Sequence, residues 1–322
     1  MILLKKPGLF KNEHGAEGEV FQQSLMRKPF NYGGQAVIEG VMMRGPLTWS
    51  VAVRTPDRSI VVEQRKVSSI TERFPFLKWP FIRGTVVLFD SLVLGLEALS
   101  FSASKAVGEE EKPLTKWEIA LTMLVAFALA IVLFVLLPVG VAHLTLPVIK
   151  GQVAQNVFEG VLRVAVFLLY VLLVGRMADI KRVFQYHGAE HKVINAHEAG
   201  AELTIPNIQR FSTLHPRCGT SFLMVVMVVH IILFSLLPTE PLWWRFLSRL
   251  LLLPVVAGLS YEFIKKSSCR GDSLFWKAAM APGLWLQKLT TREPDDEQIE
   301  VALTAFKSVV AAEEGGQSVC QA

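Results

Sequence analysis

The chain has 322 residues, 52% of them hydrophobic, with mean hydropathy +0.41, formal net charge +5 and pI near 9.1. Soluble domains run at about 45–50% apolar residues, so this composition argues against an ordinary soluble enzyme and for an integral membrane protein with basic cytoplasmic loops. Cys218, Cys269 and Cys320 share no short spacing, which argues against a disulfide framework or a C-x-x-C zinc ribbon.

Residues 1–32 are polar, basic and aperiodic, and read as a mobile arm. No apolar core follows the first lysines, so the start does not have the form of a signal peptide. At Gly33 and Gly34 the pattern changes to a turn entering a short strand, with a second break at Gly45 and Pro46. Residues 49–54 and 60–65 alternate around Thr55, Pro56, Asp57, Arg58 and Ser59, which predicts a β-hairpin. Together these segments predict a small cytoplasmic N-terminal α+β subdomain over residues 33–75. Its core is too small to stand alone, so it should pack on the membrane part. Residues 76–105 are apolar but carry Arg83, Asp90 and Glu97. A charge at bilayer depth costs about 2.5–3.5 kcal/mol on insertion scales, so an interfacial or re-entrant helix is expected here rather than a span.

Four transmembrane helices are expected, at 117–137, 157–174, 221–237 and 243–264. Lysine and arginine number 16 before the first of them, six within 175–219 and seven from Lys265 onward, against Lys150 alone in the 144–156 loop. The positive-inside rule then puts both termini in the cytoplasm of a multi-pass protein of the cell (inner) membrane. The fold class is therefore mainly α and polytopic. A four-span domain over 117–264 carries a cytoplasmic loop at 176–219, and a cytoplasmic tail follows at 265–322. That tail reads as an interfacial stretch broken at Pro282 and Gly283, then an amphipathic surface helix over 295–312 with Ile299, Leu303, Phe306 and Val310 on one stripe.

The loop at 176–219 holds the chemistry. Residues 186–192 read Tyr-His-Gly-Ala-Glu-His-Lys. On a helix running on from the second span, His187 and His191 share a face and can turn two imidazoles toward one ion. Glu190 lies about 60° round the helix from His187, within reach of a water on that ion. A zinc site needs three or four ligands. Glu198, two turns beyond His191, is one further donor, and Glu262 near the end of the fourth span is another. His215 and Cys218, just before the third span, are additional ones. His230 inside that span reads as a helix–helix hydrogen-bonding group. Glu39 and Arg44 either reach the same surface as the histidines or pair with each other.

Three stretches carry a resemblance: Gly-Gly-Gln-Ala-Val-Ile-Glu-Gly-Val-Met-Met-Arg at 33–44, the run at 186–192, and His-Pro-Arg-Cys-Gly-Thr at 215–220. Together they resemble the bacterial YqhQ-like family over roughly residues 30–305. This is a membrane protein family with a domain of unknown function, described as a predicted metal-dependent enzyme. The His-x-x-Glu-His order alone is similar to that of inverted zinc peptidases, in which a downstream glutamate completes the metal site and the inner glutamate is the base. The expectation is a membrane-embedded hydrolase that uses a divalent metal, zinc, held by His187, His191 and either Glu262 or Glu198. Glu190 would be its general base and its substrate is unassigned.

A non-enzymatic scaffold is the alternative. The basic arm, β-subdomain and amphipathic tail suit an accessory factor of membrane-protein insertion, or one docking on a ribosome, which would be its link to nucleic acid. A transporter lined by Asp90, Glu97, Glu159, Arg163 and His230 is the weaker third. The expected partners are the lipid bilayer and an unidentified substrate or protein.

Overall fold

The computed structural model describes residues 32–67, 74–106, 116–269 and 273–319. Apart from Tyr32, the expected arm lies outside the described residues. Strands β1 (Gly33–Val37), β2 (Gly40–Arg44), β3 (Thr48–Arg54) and β4 (Ile60–Lys66) form an antiparallel meander in sequence order. The β3–β4 hairpin is the one the alternation predicts, with Arg54 opposite Ile60. The β1–β2 hairpin is additional. It turns at Ile38 and Glu39, and Glu39 takes φ 50° without being glycine or asparagine. That turn is held from outside the hairpin: Arg182 Nε and Nη2 each donate to a Glu39 carboxylate oxygen at 2.5 Å, and the Tyr186 hydroxyl donates at 3.2 Å. No local turn chemistry marked it, so the stretch reads as one strand in the sequence.

The helices are α1 (Ile82–Ala106), α2 (Lys116–Ile131), α3 (Leu137–Leu144), α4 (Gln152–Val174), α5 (Ala178–Glu198), the single turn α6 (Ile205–Ile208), α7 (Gly219–Ser235), α8 (Leu242–Leu251), α9 (Leu253–Cys269), α10 (Leu274–Thr290) and α11 (Asp296–Val319). By length and composition three runs can cross a membrane: Ile82–Ala106, Ala120–Leu144 and Gln152–Val174. The pair α8 and α9, bent by 45°, makes a fourth if it is one span, and α7 is apolar but shorter. The chain thus has the character of a multi-pass membrane protein. Helix α1 belongs to the long apolar set, where the sequence suggested an interfacial helix. Two of the charges that argued against it are paired: Arg83 forks onto Glu262 at 2.6 Å, and Glu97 meets Arg65 at 3.4 Å.

Two prolines lie within helical runs without ending them. The run Ala120–Leu144 passes through Pro138 by a π turn at Val132–Leu136. Proline has no N–H for the carbonyl four residues back, Phe134, and Arg163 Nε takes that acceptor at 2.8 Å. Helix α10 likewise continues through Pro282, correcting the expected break. Helix α5, by contrast, does not extend α4. Gly175 caps α4, and Met177 is extended at ψ 139°, so the histidine helix sets off in its own direction.

The pleat sends alternate side chains into two cores. Val37, Met42, Trp49, Val51 and Val53 pack on Leu94, Ala98 and Phe101 of α1. Val41, Met43 and Ala52 face the other way, onto α5 and α11. Helix α11 is therefore not a surface helix. Ile299, Val301, Ala302, Ala305, Phe306 and Val309 are all fully buried. The Ile299, Leu303, Phe306, Val310 stripe is real but marks only one of its buried faces; small residues line the rest. Glu313 of α11 accepts from the Leu47 and Thr48 amides and the Thr48 hydroxyl, each at 2.8 Å. Residues 33–66, 178–210 and 296–313 thus share one core, where two separate cytoplasmic pieces were expected.

Candidate metal centre

Helix α5 carries the 186–192 motif with its buried face against β1, β2 and α11. Each motif residue has a distinct physical task. Tyr186 is buried and bonds Glu39. At Gly188 an added Cβ would lie 2.1 Å from the Arg292 carbonyl oxygen, so only glycine lets the α10–α11 linker cross the helix here. The Arg292 amide in turn donates to Phe184 O at 2.9 Å. Lys192, 3% exposed, donates to Gln209 O at 2.7 Å and pairs with Glu293 at 2.9 Å.

His187 and His191 face each other with ring centroids 4.4 Å apart. His187 Nδ1 lies 2.9 Å from Thr290 O, and His191 Nδ1 lies 2.6 Å from Thr213 O. A carbonyl can only accept, so both Nδ1 atoms carry the proton and each neutral ring presents a lone pair at Nε2. His187 Nε2 is 3.1 Å from Cys218 Sγ, and His191 Nε2 is buried without a hydrogen-bond partner. The three donor atoms of His187, His191 and Cys218 all lie within 4.8 Å of one another. Cys218 caps α7, its sulfur accepting from the Thr220 amide at 3.4 Å. Burial holds His191 and His215 below the usual histidine range, which favours the neutral, ligating form.

The donor set fits a soft or borderline divalent ion: two imidazoles oriented by backbone carbonyls, a thiol, and a buried orphan nitrogen. Three protein ligands leave one position of a tetrahedral ion open.

Glu190 is buried beside this cluster. The Gly34 amide donates to it, and an added Cβ at Gly34 would lie 3.0 Å from Glu190 Cγ. Burial holds its carboxyl above the ordinary range, against the pull of His187 and His215. The two other sequence candidates stand elsewhere. Glu262 is forked to Arg83, and Glu198 pairs with Arg217 and lies 3.5 Å from His215 Nε2. Cys218, a supplementary candidate in the sequence, is the third member of the cluster. Glu39 and Arg44 do not pair with each other; Arg44 Nη1 reaches Ser91 Oγ at 3.4 Å.

No spacing or motif marks the frame around the site. Gln287, fully buried, receives the His215 amide at 2.8 Å and donates to His215 O at 2.8 Å and Ser221 Oγ at 2.7 Å. Asn195 donates to Ser212 O at 2.8 Å and Leu214 O at 3.1 Å. These two amides fix the 212–218 loop that brings Cys218 to the histidines. Beside it Thr213, Lys288, Thr291, Arg292 and Glu293 line a shallow groove.

A family model described as "Protein of unknown function (DUF1385)" matches residues 79–312. The chain is 37% identical over 303 residues to uncharacterized protein YqhQ of Bacillus subtilis (strain 168), covering 90% of this chain and 95% of that one. No solved structure matches.

Proposed function

The chain belongs to the DUF1385 family, and within that family of unknown function we propose that it is a membrane-embedded metal-dependent hydrolase. One observation carries the reading: a ring nitrogen of each of His187 and His191 and Cys218 Sγ lie within 4.8 Å of one another, while both Nδ1 atoms are tied to backbone carbonyls. His187, His191 and Cys218 would hold the ion, preferably zinc, with Cys218 in place of the carboxylate ligand the sequence suggested. Bound there, zinc would supply Lewis-acid activation of a water, whose pKa it would lower toward about 7. Glu190, enclosed beside His187 and fixed by the Gly34 amide, is the group that takes and returns a proton as general base. His215 feels the Glu190 charge and lies 3.5 Å from a Glu198 carboxylate oxygen. The distribution of lysine and arginine supports a cytoplasmic site, with both termini on that side of the cell membrane. The groove along Thr213, Lys288 and Glu293 suits a polar amide or ester substrate at the membrane surface.

Elemental analysis of the detergent-purified protein tests this. About one zinc or other transition metal per chain is expected, lost in His187→Ala/His191→Ala and in Cys218→Ser. Glu190→Gln should retain the metal and abolish turnover of any ester or amide the wild type cleaves. If no metal binds even when it is supplied, the hydrolase reading fails and the scaffold reading takes its place. A second enzymatic reading rests on the 3.1 Å approach of His187 Nε2 to Cys218 Sγ at a helix N-terminus, which also suits a thiol nucleophile. Activity that survives complete removal of metal but not Cys218→Ser would select it.

A further inference from the structure

Helix α1 has the length and composition of a span, yet the partners at its two ends belong to one side of the other spans. At its start Arg83 forks onto Glu262 of α9, and the Thr85 hydroxyl donates to Pro254 O at 2.8 Å. Lys265 and Lys266 follow Glu262 on the next turn, which marks that end of α9 as a basic, inner end. From Ser91 onward α1 carries the sheet. Arg44 Nη1 reaches Ser91 Oγ, the Ile38 amide donates to Ser102 Oγ at 3.2 Å, and Leu94, Ala98 and Phe101 pack against Val37, Trp49 and Val51. The other face of the sheet rests on α5, in the 175–219 connection with its six lysines and arginines. Arg83 and Ser91 are eight residues apart, ~12 Å of helical rise, whereas the hydrocarbon core is about 30 Å thick. The helix cannot cross between them. An open sheet also has edges that lipid does not tolerate. Lys78 before α1, and Lys105, Lys112 and Lys116 after its apolar part, agree with two ends on the basic side.

The helix has three faces. Gly84, Gly95, Ala98 and Ser102 are buried against α9 and the sheet. Arg83, Asp90 and Glu97, seven apart, form a polar stripe along one flank. Ile82, Phe89, Leu92, Val93 and Leu99 form the third face and are all exposed, Phe89 by 63% and Leu92 by 58%. Trp79 and Phe81, exposed as well, continue that face at the foot of the helix. An apolar face, a charged flank and an aromatic foot are the pattern of a helix lying in the membrane interface.

We propose that α1 lies along the inner leaflet rather than across the bilayer, with its Ile82, Phe89, Leu92, Val93 and Leu99 face on the acyl chains. Lipid is the occupant because this face begins beside α9, at the level of the Arg83–Glu262 pair where α9 leaves the membrane. The sheet then stands on a lipid-bound platform. Gln35 of β1 packs on Gly95, where an added Cβ would lie 2.4 Å from Gln35 Oε1, and the adjacent Gly34 amide bonds Glu190. One strand therefore joins the leaflet to the carboxylate beside the histidines.

The test uses the full chain in vesicles of phosphatidylethanolamine and phosphatidylglycerol. Spin labels are attached through Ile82→Cys, Phe89→Cys, Val93→Cys or Leu99→Cys, with the signal of the unsubstituted chain subtracted. Collisions with oxygen, which favours lipid, and with a nickel chelate, which favours water, give the depth of each label. All four labels are expected to favour oxygen at one shared depth, about 5–10 Å into the headgroup–acyl boundary. Labels at Asp90→Cys and Glu97→Cys are expected to favour the nickel chelate. If Phe89→Cys does not fold, Leu92→Cys reads the same face. A depth that descends from position 82 to the bilayer midplane near 93, ~15 Å down, would show a crossing helix and overturn the proposal. Nickel favoured at all four positions would place the face in water, and exclusion of both reagents would place a second copy or another protein on it; either result would overturn it too.

Discussion

The two polar clusters of this protein are built on connected helices and collect opposite kinds of unused group. On α5 and α7 the ring nitrogens of His187 and His191 and the sulfur of Cys218 converge as electron-pair donors. Between α4 and α8 the guanidiniums of Arg163, Arg245 and Arg249 converge as hydrogen donors on a single carboxylate. The second cluster is buried and the first partly so, and each holds nitrogens without a hydrogen-bond partner: His191 Nε2 in the first, Arg245 Nη1 and Nη2 in the second. A buried polar cluster of one sign is stable only when its complement is supplied. The first is thus suited to a cation, whereas the second is built around the Glu159 carboxylate.

Removing Glu159 breaks the comparison most severely. Glu159→Leu strands three guanidiniums and should cost about 3–5 kcal/mol, measured by denaturant unfolding in detergent. A loss below about 1 kcal/mol would mean that the carboxylate is not what holds the arginines. At the other cluster His191→Ala leaves two donors and should weaken metal binding at least ~100-fold, about 2.7 kcal/mol, as read by competition with a chelating dye. Glu262→Gln should leave that affinity unchanged, because Glu262 belongs to Arg83. A matching loss in Glu262→Gln would restore it as a ligand.

Gly188→Ala sharpens the comparison by disturbing only the metal end. Its Cβ would meet the Arg292 carbonyl at 2.1 Å, so a loss of about 1–3 kcal/mol is expected in denaturant unfolding, together with weaker metal binding. The smallest effect concerns pH. The Arg182 hydrogen bonds hold the Glu39 carboxyl below its ordinary range. Its stabilisation is therefore present above the ordinary carboxylate pKa and lost as pH falls through the depressed folded value. The pair is partly exposed, so the loss should stay below about 1 kcal/mol. Arg182→Gln should flatten that part of the stability–pH curve, and an unchanged curve would remove Glu39 as its source.

The histidine pair was legible because helical spacing alone puts His187 and His191 on one face. Cys218 was legible only as a supplementary donor, since it approaches through a loop whose path depends on Asn195 and Gln287. Glu262 and Glu198 were plausible ligands by spacing, but each had an arginine closer in space. The arginine cluster was half visible. Glu159 and Arg163 are four apart on α4, whereas Arg245 and Arg249 come from another helix.

The amino-acid sequence by itself determined the apolar runs, the β3–β4 hairpin, the apolar stripe of α11 and the metal-donor motif, because each depends on periodicity within a few residues. The tertiary structure decided which way each polar side chain turned. It paired Glu39 with Arg182, withdrew Glu262, joined the sheet to α11, and brought Arg245 of α8 onto Glu159 of α4. Those outcomes depend on competition among distant groups for a limited set of partners in a medium without water, and that competition is resolved only once the helices pack.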